Sequence, residues 1–164
     1  MIKKINNKTI KLIKYYGFIN HNLIYNNKAI NRYKKDIFQI SGNKAENLEK
    51  LKKSISNIKN CELKKNATNI VFSDGNAKAK IMLVGEGPGS NEDQEGLPFV
   101  GRAGALLDKM LASIDLDRKN VYITNVVNFR PPENRKPSEY EITRYLPYLK
   151  KHIEIIDPKI LILL

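Results

Sequence analysis

The chain of 164 residues has a single cysteine, Cys61, which excludes an internal disulfide and fits a reducing, cytoplasmic setting. No apolar run approaches the ~20 residues needed to cross a bilayer. The basic start, Met1 to Asn7, lacks a long apolar stretch, so no signal peptide is expected. Acidic residues are scarce: 17 Asp and Glu stand against 29 Lys and Arg, for a formal net charge of +12. That balance favours a polyanionic partner. Lysine, asparagine and isoleucine also recur along the whole chain, as an AT-rich genome would produce, so composition is a second source of the charge. The glycine-rich segment Gly85-Glu86-Gly87-Pro88-Gly89 has Ser90 where G-x-G-x-x-G needs its third glycine. No Gly-Lys-Ser/Thr follows it, which excludes a P-loop.

What is present reads as one domain with an extension. Residues 1–42 form a variable basic N-terminal extension in which Tyr15, Tyr16, Tyr25 and Tyr33 sit among lysines. Such a stretch is either a solvated tail or a surface whose aromatic faces stack on bases. Residues 43–164 form the domain. Leu48, Leu51, Ile55 and Ile58 recur at helical spacing from Asn43 onward. Residues 61–72 read as irregular, and Ser73-Asp74-Gly75-Asn76 is a turn signal. Ile81 to Val84 is a short continuous apolar run, the pattern of a buried parallel strand.

Beyond the glycine loop, Leu106, Leu107, Met110, Leu111 and Ile114 predict a helix with a core-facing stripe. Val121 to Val127 is a second buried strand, broken in character by Asn125. A proline-stiffened basic loop, Phe129 to Lys136, precedes a capping box in which Ser138 and Glu141 start another helix. The stripe Ile142, Tyr145, Leu146, Leu149, Ile153 and Ile156 buries that helix, and Lys159 to Leu164 begins a third strand. The alternation predicts an α/β fold: three-layer α/β/α with a central parallel sheet. Ligands bind such sheets at the carboxyl ends of the strands, which singles out the Gly85–Gly89 loop and Asn125.

The ordered strings carry more than their spacing. Gly85 to Gly89, Glu92-Asp93, Gly96-Leu97-Pro98-Phe99-Val100-Gly101-Arg102-Ala103-Gly104, Tyr122 to Val127 and Arg130 to Arg135 together closely resemble the family 4 uracil-DNA glycosylases. The resemblance covers roughly residues 61–164. It implies hydrolysis of the N-glycosidic bond of uracil in DNA after the base is flipped out of the duplex. Glu86 matches the position that directs the attacking water and stabilises an oxocarbenium-like sugar. Phe99 offers a face for the extruded base, with core packing as its other role. Asn125 carries one acceptor and two donors, matching uracil N3–H and O4, a pattern that cytosine reverses. Backbone amides of Gly87, Gly89 and Ser90 are candidate contacts to base or phosphate. Arg102, Arg130, Arg135 and Lys136 are candidate phosphate contacts, although a solvated surface role is the ordinary one for each.

Two departures from the family pattern stand out. The family's four-cysteine iron–sulfur cluster has only Cys61 here, with Lys64, Phe129 and Tyr145 at the other three positions. One thiolate cannot hold a cluster that needs four, so no cluster is expected, and Phe129 and Tyr145 are expected to fill the space by apolar packing. The family's later His-Pro loop has no counterpart. His21 falls in the extension and His152 on a helix, and neither fits that loop. On this reading the chain is truncated, with the last strand and helix of the fold missing. That leaves two expectations: a glycosylase completed by a separately encoded carboxyl-terminal fragment, or a non-catalytic, DNA-binding remnant.

Overall fold

The computed structural model describes residues 39, 40 and 42–164. The expected extension, with its four tyrosines and His21, lies almost wholly outside them. Four strands form one sheet: β1 (Asp74–Gly75), β2 (Ile81–Gly85), β3 (Val121–Asn125) and β4 (Ile160–Leu163). Their order is β1-β3-β2-β4. β2 pairs in parallel with both β3 and β4, while β1 pairs antiparallel with β3. The sheet is therefore mixed. The Ser73–Asn76 turn signal is where the two-residue β1 lies, and its Asp74 and Gly75 face Ile123 and Tyr122.

Five helices are described: α1 (Lys44–Ser56), α2 (Glu62–Asn66), α3 (Ser90–Glu95), α4 (Arg102–Ala112) and α5 (Glu139–Ile156). α2 falls inside the segment expected to be irregular. α1 and α5 start as their sequences predict. Asn43 accepts from the Glu46 amide, and Ser138 and Glu141 close a reciprocal box in which Ser138 N donates to Glu141 at 2.7 Å.

Alternation along the strands separates the two faces of the sheet. Leu83, Val121 and Ile123 pack with Leu107 and Leu111 of α4. Met82, Val84 and Tyr122 pack with Leu149 and Ile156 of α5 on the other side. Helices on both faces make the three layers. A further cluster joins α1 to α5 through Leu51, Ile55, Leu63, Phe129, Tyr145 and Ile155.

The helix stripes are narrower than their spacing implies. Of the apolar set only Leu107 and Leu111 of α4 are buried; Leu106, Met110 and, just past the end of the helix, Ile114 are 57 to 63% exposed. In α5 Leu146 is exposed too, whereas His152 and Ile155 join the buried side. Ile160 to Leu164 are all exposed, so β4 offers apolar surface beside the paired edge of β2. Among the described residues, no helix is long and apolar enough to cross a membrane.

Candidate active site at the carboxyl ends of the central strands

Gly85 and Asn125 end β2 and β3 side by side in register. The pairing continues past the strand ends, because Val126 N donates to Gly85 O at 2.8 Å and Val127 N to Glu86 O at 3.2 Å. A methyl group placed on Gly85 would lie 2.5 Å from Asn125 Oδ1 and 2.6 Å from Phe99 Cζ. Amide and ring thus converge on one point above the strand ends, and only a residue without a side chain fits between them.

Asn125 is 3% exposed. Its carboxamide makes no hydrogen bond to any described residue, and no fully buried side-chain nitrogen or oxygen among them lacks a partner. The amide therefore has access to the space in front of it. Its buried neighbours behave differently: Thr124 donates to Phe72 O at 2.7 Å and Asn128 to Val71 O at 3.0 Å. A nearly buried amide left open in this way costs stability unless a ligand completes it.

Phe99 is half-buried. Its ring leans on the Leu83, Leu107 and Leu111 cluster while its tip reaches Gly85, so packing and exposure to a ligand coexist in one side chain. Its backbone is left-handed, with φ 56°. The turn that carries it is gripped from both sides. Glu92 accepts from Val100 N at 3.0 Å, Gly101 N at 2.8 Å and Gly89 N at 3.0 Å, tying the glycine loop to the phenylalanine turn. Arg118 donates to Pro98 O at 3.2 Å and to Phe99 O. Gly104 closes the underside: a methyl group there would stand 1.7 Å from Phe99 O.

Glu86 is exposed and borders an open cleft of about 140 Å³ with Gly87, Pro131, Arg135, Lys136 and Pro137. The cleft lies between the glycine loop and the basic loop, so Glu86 faces the predicted phosphate side. Gly89 N is committed to Glu92 and is no free donor. Arg135 spends its fork on Glu141, at 2.7 and 2.8 Å. That pairing, with Ser138, holds the Glu141 carboxyl down at about 2. Arg130 donates to Asn134 at 2.8 Å. Arg102 and Lys136 are exposed, Arg102 at the start of α4 and Lys136 on the basic loop.

Reasoning from sequence missed Arg118, Glu92, Asp93 and Gly104 as structural parts of this site. Asp93 is buried and accepts from Thr68 N and Asn69 N, anchoring the segment before β1. Glu92 did leave a signal: it occupies the third helical position after Gly89, where a carboxylate reaches back to the cap.

The four positions of the cluster pattern hold one thiol, one ammonium and two aromatic rings. Cys61 Sγ lies 3.3 Å from Tyr145 Oη, and both are buried with Phe129 among Leu51, Ile55 and Leu63. Burial first, then the thiol, raises the Tyr145 hydroxyl well above its ordinary value. Lys64 is exposed and donates to Ser56 O at 2.5 Å. This donor set does not fit an iron–sulfur cluster. His152 sits apart from Asn125 and Phe99, stacked on Phe72 with Nε2 2.6 Å from Tyr122 Oη. Burial lowers its pKa to about 3.

The family model for the uracil DNA glycosylase superfamily matches residues 72–164. Three relatives, each named a type-4 uracil-DNA glycosylase, are similar over about 120 residues. That of Sulfurisphaera tokodaii is 52% identical over 73% of this chain and 54% of its own length. That of Archaeoglobus fulgidus is 47% identical over 73% and 60%. That of Saccharolobus solfataricus is 48% identical over 73% and 56%. The chain thus spans a little over half the length of these three relatives.

Proposed function

The chain belongs to the uracil DNA glycosylase superfamily, and from that premise we propose that its site receives a uracil flipped out of DNA and hydrolyses the N-glycosidic bond. The observation that carries this reading is the convergence of a free, nearly buried Asn125 amide and the Phe99 ring over Gly85. Asn125 Nδ2 donates to uracil O4 while Oδ1 accepts from N3–H, and the Phe99 ring covers one face of the base. Cytosine presents the reverse edge and would leave the amide unpaired in a desolvated place, which is how one side chain discriminates. Glu86, at the edge of the cleft, directs water at the sugar carbon and stabilises the positive charge that grows there as the base departs. Lys136, Arg102 and Arg130 hold phosphates on that side. Arg135 is a weaker candidate, since its partner Glu141 must be given up first.

We also propose that the protein carries no iron–sulfur cluster, with Cys61, Phe129 and Tyr145 packed where the family pattern has ligands. A second reading, recognition of DNA without turnover, is favoured by one feature. His152 is buried against Tyr122 and Phe72, so among the described residues no histidine stands at the strand ends. The exposed apolar β4 supports a further segment completing the sheet, in this protein or as a separate fragment.

Uracil release from single- and double-stranded oligonucleotides, read as alkali-labile abasic sites, separates these readings. Cleavage by the chain, lost on combining Glu86→Ala with Asn125→Ala, is the expected result. Binding of uracil-containing DNA by a folded sample without cleavage supports the second reading. A folded sample that neither cleaves nor binds DNA overturns both.

A further inference from the structure

Arg118 lies in the turn before β3, 19 residues beyond Phe99, yet its guanidinium reaches the back of the phenylalanine turn. All five N–H donors are engaged. Nε donates to Asp108 Oδ1 at 2.8 Å and Nη2 to Asp108 Oδ2 at 3.4 Å. Nη1 donates to Asp74 Oδ2 at 2.8 Å and to Pro98 O at 3.2 Å, and Nη2 also donates to Phe99 O. Asp74 is on β1 and Asp108 on α4. One side chain therefore joins the edge strand and the helix over the sheet to two consecutive carbonyls of the turn.

We propose that Arg118 is the positioning residue for Phe99: its fork, oriented by Asp74 and Asp108, fixes the two carbonyls that set the direction of the ring. Three observations converge on this role. Phe99 adopts a left-handed backbone that a bulky residue does not hold unaided. The amides of the next two residues are taken by Glu92, so the acid and the base grip opposite sides of one turn. The ring tip then falls against Gly85, beside the open Asn125 amide. A lysine supplies charge but only three donors on a point-like head, and cannot span two carboxylates and two carbonyls.

The role is tested in two independent ways, resting for its effect on DNA, and only there, on the uracil-binding reading above. The first readout is geometry without ligand: the nuclear Overhauser contact between the Phe99 ring and Gly85 Hα in the full chain. It is expected in the wild type and lost in Arg118→Gln and Arg118→Lys, both with helical circular dichroism intact. The second compares binding of an oligonucleotide carrying a cleavage-resistant 2′-fluoro-deoxyuridine with one carrying a tetrahydrofuran in its place, so that the ratio reads what the base contributes. Arg118→Gln is expected to lower that ratio about tenfold, the scale of one base–aromatic stack. Adding Phe99→Ala should lower it no further. Should Arg118→Gln not fold, Asp108→Ala, which removes the acceptors of Nε and of one Nη2 proton, takes its place with a smaller expected loss.

A ring contact missing from the wild type, or persisting in folded Arg118→Gln or Asp108→Ala, overturns the proposal whatever the DNA result. So does a lost contact with an unchanged ratio in a chain whose wild type does show base-dependent affinity. A lost contact in a chain whose wild type shows no base-dependent affinity leaves Arg118 holding Phe99 and sinks the uracil reading instead.

Discussion

Two regions of this molecule follow the same family pattern and have fared differently. At the strand ends, Gly85, Glu86, Phe99 and Asn125 stand where that pattern has them, and Asn125 is nearly buried without a partner among the described residues. Between α1, α2 and α5, Lys64, Phe129 and Tyr145 stand at three of the four positions where the resembled pattern has cysteine, and Tyr145 and Phe129 pack with Cys61 and Leu51. A staple can be replaced by any side chains that fill its volume, because packing asks only for shape and apolarity. A site that must accept a polar edge cannot close in this way, since closing it removes its use. The contrast predicts that changes in the closed region move stability alone, while changes at the strand ends move recognition.

The largest effect expected is at the back of the open region. A methyl group on Gly104 meets backbone, not a flexible side chain, 1.7 Å from Phe99 O, so helix and turn must part. Gly104→Ala should cost more than about 3 kcal/mol, at the top of the range for overpacking. A denaturant midpoint unchanged from the wild type would mean that the turn does not rest on this helix.

Acid provides the next test, on the closed side of the sheet. His152 titrates near 6.5 when unfolded and near 3 in the fold, where burial excludes the charged form. Above about pH 6.5 neither state is protonated and the group has no influence. Below it only the unfolded chain takes the proton, so stability falls by about 1.4 kcal/mol per pH unit toward pH 3. Glu141 adds a loss of the same sign only between its ordinary range and about 2. Unfolding measured between pH 6.5 and 5 therefore isolates His152. His152→Phe should flatten the slope, and a slope that survives the substitution would assign it elsewhere.

Asn125→Ala is the sharpest probe of the contrast. The amide has no partner to lose among the described residues, so stability should change by less than about 1 kcal/mol. Affinity for uracil-containing DNA over the same DNA with cytosine should fall about tenfold or more, as one or two desolvated hydrogen bonds disappear. A large loss of stability with recognition intact would reverse the roles given to the two regions.

How far these features could be read in the sequence depended on how local their causes are. The strand ends were legible because Gly85 to Gly89 and Tyr122 to Val127 are contiguous strings. The Ser138 cap was legible for the same reason. The two-residue β1 was not, since Asp74 and Gly75 form a strand only by lying against Tyr122 and Ile123. Arg118 was hidden because its partners are 10 to 44 residues away, and nothing nearby marks it. The stripe on α4 was overread: helical spacing groups Leu106 and Met110 with Leu107 and Leu111, but the width of β2 and β3 decides which are covered.

The smallest effect belongs to the closed region. Tyr145→Phe removes the hydroxyl that meets Cys61 Sγ and leaves the ring where it packs. A thiol is a weak partner, so about 0.5–1.5 kcal/mol is the ceiling for this loss. Uracil affinity should not change. Val127 links the two regions: it packs in the same cluster as Tyr145, and its Cγ2 would lie 2.8 Å from a methyl group on Gly87. Because the phenyl ring still fills the volume behind Val127, the glycine loop should keep its place. If affinity fell in step with stability, that contact would be transmitting the state of the closed region to the open one, and the two could no longer be treated as separate.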